Sequence, residues 1–339
     1  LYSTEAAKKI RKVLDDFQPD VVHVNNFNFQ LTPSILYAIR KYEKQTGRTV
    51  RIVYTAHDSQ LVCPNHLMQR PSGELCQECL GQKQWNCTKH KCIHNSRVKS
   101  LLGSVEAKIY QHNHAYRMFD TVICPSHFLE EVLKTNPDLD GKTVTMHNFL
   151  NRQEIPETEK KKYVLYFGRY SEEKRQDVLI EAVKRSAHSH RIQLILAGQG
   201  PKERSLRWQG RSLRYPPIMG FFDTERLCEL MAMSDLYVHA ADVEIEAIAC
   251  LEAVASGLVP VIADSPLSAT SQFALDHRSL FEAGNVDDLA ERIDWWYEHA
   301  TARHQMARVY AESANQYRLK NSIRKAEQMF AEEIAETLG

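Results

Sequence analysis

Two successive runs of alternating strand and helix patterns predict an α/β protein of two Rossmann-like domains, joined by the polar stretch NRQEIPETEKKK at residues 151–162. The length of 339 residues gives each domain ordinary size. Strands alternating with helices imply parallel sheets covered on both faces, and two such domains are expected to hold a ligand in the cleft between them.

In the first run, residues 1–17 have Ala6, Ile10, Val13, Leu14 and Phe17 on one helical face. Pro19-Asp20 breaks that helix, and residues 21–24 (VVHV) read as a buried strand. A helix is expected over 34–43 and a strand over 50–55, ending at His57-Asp58. A Cys- and Lys-rich segment follows to about residue 100, then a helix from Val105 and a strand over 121–124. Ser126 is the expected cap of the next helix, with Glu130 in its first turns, and residues 143–146 close this half. After the linker, strands are expected at 163–167, 193–197, 236–238 and 259–263, with helices from Arg175, from Thr224 and over 247–256, and helices finishing the chain. The expected domains are 1–152, with a helix at about 318–339 packing back on it, and 153–317. No solenoid repeat is present.

Lys+Arg and Asp+Glu both count 43, so the net charge is zero, which argues against a general nucleic-acid binder. The densest apolar run, 258–263, is far shorter than a membrane span. The opening LYSTE has no signal-peptide character. With eight Cys this favours reduced thiols or metal over a disulfide framework, and a cytoplasmic location is expected.

The chemistry concentrates in the second run. Its first strand ends in Gly168-Arg169, with Lys174 five residues on. Gly168 permits a tight turn, Arg169 offers a planar fork of donors, and Lys174 a mobile point charge. Together they suit a diphosphate, although alone they also fit a solvated basic turn. Glu244 and Glu252 bracket EIEAIACLE. At the helical rise they stand roughly 12 Å apart, so that one carboxylate can meet a sugar and the other a ribose. Between them, the helix start near Ala247 and Ile248 offers free N–H groups and a positive dipole end to phosphates. Glu252, among Leu251, Ala253, Val254 and Ala255, is expected to be buried and to need a partner.

The stretches YFGRYSEEKRQDVLIEA, LAGQGP, IMGFF and EIEAIACLEAVASGLVPVIA, with FQPDVVHVNNF, YTAHD and TVICPSHFLEEV before them, resemble in order and spacing the group 1 glycosyltransferases, the retaining family 4 of the GT-B fold. The resemblance covers nearly all of the chain. It implies that Arg169 and Lys174 bind the diphosphate of a nucleotide-sugar donor, Glu252 the ribose and Glu244 the transferred sugar. His57 would face that sugar, and the main chain near Gly220 and Phe221 would hold the base. Catalytic roles fall to His57, Arg169, Lys174 and Glu244. The donor site adds Gly168, Gly220, Phe221, Ala247, Ile248 and Glu252. The family needs no cofactor or metal for its chemistry. It transfers sugar with retention, the leaving phosphate oxygen taking the acceptor's proton. The expected acceptor is a glycan or lipid-linked glycan, in polysaccharide biosynthesis.

There are departures. Where the family often reads Pro-Ser before the first Glu and Pro-Phe-Gly after it, this chain has Ala240-Ala241-Asp242-Val243 and Ile245-Glu246-Ala247. Glu246 is a second acid for the sugar. The family's opening strand and Gly-rich loop are not matched, so the first domain is expected to be incomplete. The alternatives are a nucleotide-sugar epimerase of the same fold and a non-catalytic relative that binds nucleotide.

Cys76, Cys79, Cys87 and Cys92, with Cys63, His90 and His94 nearby, have the residue types and approximate spacing of a structural zinc knob, or else form a reduced irregular loop. Around them Lys83, Lys89, Lys91, Arg97, Lys99 and Lys108 are opposed only by Glu106, beside the apolar Leu101, Leu102 and Val105. Such a patch is either a solvated face or a peripheral contact with an anionic membrane or an acidic lipid-linked acceptor.

Overall fold

A computed structural model describes residues 2–27, 31–150 and 159–338. The chain divides into two compact units, residues 1–147 with 320–339, and residues 148–319.

The first unit is built on a parallel four-stranded sheet in the order β1 (Val21–Val24), β2 (Arg51–Thr55), β3 (Thr121–Cys124), β4 (Thr143–Thr145). Ile52, Val53 and Tyr54 are fully buried, as a strand covered on both faces requires. Tyr54 stacks on Phe119 at 4.8 Å and meets Phe27 edge-on at 5.5 Å. Helices α1 (Thr4–Phe17), α2 (Ser34–Thr46) and α5 (His127–Lys134) complete the alternation. Ser3 caps α1 by accepting the Ala6 N–H, and Ser126 caps α5 by accepting the Leu129 N–H. Between β2 and β3 lie the short α3 (Trp85–Lys89) and α4 (Arg97–His112). Helix α4 begins at Arg97 rather than at Val105. Ser96 caps it, and its first turns leave Val98, Leu101 and Leu102 exposed, which hid the helical stripe in the sequence. Of the basic patch, Lys108 is turned inward by its own loop, where Nζ donates to the Gln82 carbonyl at 2.7 Å.

The second unit carries a parallel six-stranded sheet. Its order is β12 (Leu280–Glu282), β10 (Val259–Asp264), β8 (Leu236–His239), β5 (Tyr163–Phe167), β6 (Gln193–Ala197), β7 (Ile218–Gly220). The apolar runs of β5, β6 and β10 are buried almost throughout, against helices such as α6 (Gln176–Arg185) and α10 (Val286–Glu298). Helix α7 (Glu203–Gly210) was not visible in the sequence because it buries only Leu206 and Gly210. Strands β7 and β12 are three-residue edges with little pattern of their own. Helices α8 (Thr224–Met233), α9 (Ile248–Ala255) and α11 (Ala300–Ser313) complete this unit. A two-residue parallel bridge joins β9 (Val243–Glu244) to β11 (Leu267–Ser268). Of the expected linker, residues 151–158 lie outside the described residues. Just after them, Lys160 and Lys161 donate to the carbonyls of Ser234 and Met233, at 2.8 and 2.7 Å.

The last helix, α12 (Leu319–Leu338), belongs for most of its length to the first unit. Its buried Glu333 accepts from Arg51 Nε at 2.6 Å and from the hydroxyl of Thr121, tying the chain's end to β2 and β3.

Candidate functional site

The carboxyl ends of β5, β6 and β7 in the second unit open on a cleft of about 700 Å³, its floor made of two glycine turns. The Gly168 N–H donates to the Ala197 carbonyl at 2.9 Å, and the Gly198 N–H to the Gly220 carbonyl at 2.7 Å. The turns are so close that a Cβ on Gly198 would fall 1.9 Å from the Gly168 oxygen, and one on Gly200 2.3 Å from the Tyr170 oxygen. Only glycine fits, and backbone is thereby left at the surface of the cleft. Arg169 is exposed at its rim, its backbone fixed by Tyr166 and Gln176, whose side chains both donate to its carbonyl. Phe221 is 74% exposed on the opposite lining, so a broad aromatic face is available there.

Lys174 ends a single 3₁₀ turn and reaches across to β9, where Nζ lies 2.5 Å from Glu244 Oε2. Two further links join the same loops. Asp242 N–H donates to the Glu173 carbonyl at 2.9 Å, and Arg175 Nη1 lies 2.8 Å from Asp242 Oδ2. The residues expected to hold diphosphate and sugar are thus clamped to one another. Sequence reasoning did not assign Arg175 and Asp242 to this clamp. Their signal was an Arg directly after Lys174 and an acid two residues before Glu244.

Glu244 is largely buried. Burial pushes its carboxyl up, but His239 and Lys174 outweigh that and hold it well below the usual carboxylate range. His239 Nε2 approaches Glu244 Oε2 to 3.3 Å without an aligned hydrogen bond, so this contact is chiefly electrostatic. Its Nδ1 lies 2.8 Å from the Tyr237 hydroxyl. That phenol is fully buried and held protonated by desolvation.

Helix α9 follows from Ala247, which has φ +52° and provides no side-chain cap. Its first N–H groups are therefore open to an anion, beside the exposed Ile248. Glu252, expected to be buried with a partner, is instead exposed, and among the described residues only its main chain is engaged, its carbonyl accepting from the Ser256 hydroxyl at 2.7 Å. Leu251, Ala253 and Val254 turn to the core, and the helical repeat carries Glu252 outward. Surrounding protein still desolvates its carboxyl and raises its pKa, with no cation to offset this.

In the first unit, His57 follows β2 and its Nε2 lies 3.0 Å from Asn25 Oδ1, at the end of β1. The cysteines expected to form a zinc knob lie in the same unit. Cys76, Cys79, Cys87 and Cys92 do line one small space with Cys63, yet among the described residues no three His, Cys, Asp or Glu side chains are grouped so as to hold a metal ion. Ligation requires sulfurs about 2.3 Å from a common point. The Cys63 thiol donates to Asn65 Oδ1 at 2.9 Å.

Residues 148–313 match the family model "Glycosyl transferases group 1", and residues 1–154 match "Glycosyltransferase Family 4". The chain belongs to the group 1 glycosyltransferases. HepE from Anabaena, solved in complex with UDP, is similar over 96% of this chain and 82% of its own, with 16% identity and a TM-score of 0.69. That likeness shows the family's GT-B fold. The catalytic domain of cholesterol-α-glucosyltransferase from Helicobacter pylori is 50% identical over 46% of this chain and 98% of its own, with a TM-score of 0.45. An uncharacterized 42.6 kDa protein in the cps region of Klebsiella pneumoniae is 22% identical over 128 residues, which are 36% of this chain. The match spans 32% of the length of that curated relative. No helix among the described residues is long and apolar enough to cross a membrane.

Proposed function

We propose that this protein transfers a glycosyl group, with retention, from a nucleotide diphosphate sugar to a hydroxyl of a glycan or lipid-linked glycan, in the synthesis of a polysaccharide. The observation that carries this reading is the Lys174–Glu244 clamp between the glycine-floored cleft and the open start of α9. Cations and free N–H groups for a diphosphate lie there beside an acid kept ionised. The UDP held by HepE supports a uridine donor. Gly168 lets the chain turn under the donor, Arg169, Lys174 and the α9 start at Ala247 and Ile248 take the diphosphate, and Glu252 takes the ribose. Glu244 takes the sugar, and the Phe221 ring with the Gly220 main chain takes the base.

In the transfer, the bond from the anomeric carbon to the diphosphate oxygen breaks as a bond to the acceptor oxygen forms on the same face. The acceptor's proton passes to the departing phosphate oxygen, whose charge Arg169 and Lys174 stabilise. No carboxylate nucleophile is required, unlike in retaining glycosidases. His57, on the first unit, would bind the transferred sugar. The exposed Val98, Leu101 and Leu102, with Arg97 and Lys99, suit peripheral contact with an anionic membrane, at the cytoplasmic face where nucleotide sugars are held.

Incubation with a panel of UDP-, GDP-, ADP- and dTDP-sugars, with products read by mass spectrometry and anomeric coupling constants, tests the reading. Slow hydrolysis or transfer with the donor's anomeric configuration kept is expected. Interconversion of donors without release would make the protein an epimerase. Nucleotide binding without any product would make it a non-catalytic relative.

A further inference from the structure

Five of the eight cysteines, Cys63, Cys76, Cys79, Cys87 and Cys92, line one enclosed space of about 10 Å³ in the first unit. All are free thiols, and the nucleotide-sugar reading uses none of them. Two stand apart in geometry. After helix α3, the Cys92 N–H donates to the Cys87 carbonyl at 3.1 Å. A hydrogen bond between two main chains holds their α-carbons within the range a disulfide spans, about 4.4–6.8 Å. Both side chains line the same small space. Cys87 is 1% exposed, whereas Cys92 is only partly covered. An accessible thiol is therefore backed by a buried one.

We propose that Cys92 and Cys87 are a reversible thiol–disulfide pair, oxidised by a low-molecular-weight disulfide of the glutathione class, with Cys92 attacking and Cys87 resolving. The Cys92 thiolate attacks one sulfur of the small disulfide, forming a mixed disulfide and releasing one small thiol. The Cys87 thiolate then attacks Cys92 Sγ, closing the internal bond and releasing the second small thiol. The two protein thiol protons leave on the two released thiols. Two cysteines are oxidised and one small disulfide is reduced, so the exchange balances.

The surroundings favour this order. Cys92 is only partly covered, whereas Cys87 is 1% exposed, so a small disulfide in solvent meets Cys92 first. Cys63 and Cys79 are buried as well. The remaining cysteines, Cys124, Cys228 and Cys250, are buried in β3, α8 and α9.

The test uses the full chain without a tag, so that thiols and bound metal are the protein's own. The protein is equilibrated in mixtures of reduced and oxidised glutathione, quenched in acid, alkylated and mapped by mass spectrometry. Lys89 and Lys91 lie between the two cysteines, so a tryptic digest yields peptides joined only by the new bond. A Cys87–Cys92 link that grows with oxidised glutathione and is reversed by dithiothreitol is expected. Cys87→Ser should trap glutathione on Cys92, and Cys92→Ser should form neither the adduct nor the link. The proposal is overturned by eight free thiols throughout, by a link or adduct centred on other cysteines, or by stoichiometric zinc that shields the thiols until a chelator removes it. Mapping of the unsubstituted protein decides by itself if a variant fails to fold, and no readout depends on transfer of sugar.

Discussion

At the scale of single residues, the clamp between Lys174 and Glu244 sets what substitution should do. Arg169→Ala or Lys174→Ala should lower turnover by about two orders of magnitude or more, as expected when a donor to developing charge is lost. Initial rates of product formation check this, and unchanged rates in both variants would remove the diphosphate assignment. The two acids should separate cleanly. Glu252→Ala should weaken binding of the free nucleoside diphosphate by about 1–3 kcal/mol, the loss of charge-assisted hydrogen bonds to ribose. Glu244→Ala should leave that binding intact or tighten it, because Lys174 is released from its 2.5 Å partner, and should instead reduce turnover of the whole donor. Calorimetric titration of both variants with UDP decides between them, and equal losses would mean the carboxylates are wrongly placed. These residue types were legible as chemistry in the sequence. Their pairing was not, because Lys174 and Glu244 are 70 residues apart and only the sheet brings them together.

At the scale of elements, the glycine turns after β5 and β6 are where the backbone is least tolerant. Gly198→Ala would drive a methyl into the Gly168 oxygen, so the two turns must part. A cost above about 2 kcal/mol is expected, together with loss of UDP binding, since overpacking against main chain cannot relax by rotamer change. Gly257→Ala is the comparison, having φ +76° with nothing within 4 Å. It should cost only about 1–2 kcal/mol for the left-handed backbone and leave UDP binding unchanged. Equal thermal shifts for the two variants would contradict the close packing of the turns. The strongly patterned strands β5, β6 and β10 could be read directly, because short apolar runs between glycines and polar turns have few other uses. Helix α4 could not be bounded, since its first turns point apolar side chains at solvent and basic ones beside them. The outward Glu252 was misjudged for a related reason. A residue flanked by apolar neighbours in sequence need not share their face in a helix.

At the scale of the whole molecule, the chain's last residues stabilise its first domain. Glu333→Ala removes the acceptor shared by Arg51 and Thr121, and should destabilise the first unit by about 1–3 kcal/mol. Hydrogen exchange read by mass spectrometry should show protection lost in β1–β3 and kept in β5, β6 and β8. Uniform loss across both units would mean that they unfold as one cooperative body.

By itself the sequence determined the α/β class, most of the strands and the chemical types at the donor site. Each of these rests on local pattern: apolar runs, glycine at tight turns, and charge beside a helix start. Only the tertiary structure decided which groups meet. It joined Lys174 to Glu244 and Arg175 to Asp242, and turned Glu252 to solvent. Those outcomes depend on strand order and on helix facing, which place residues from separate segments within a few ångströms of one another and leave no mark in either segment alone.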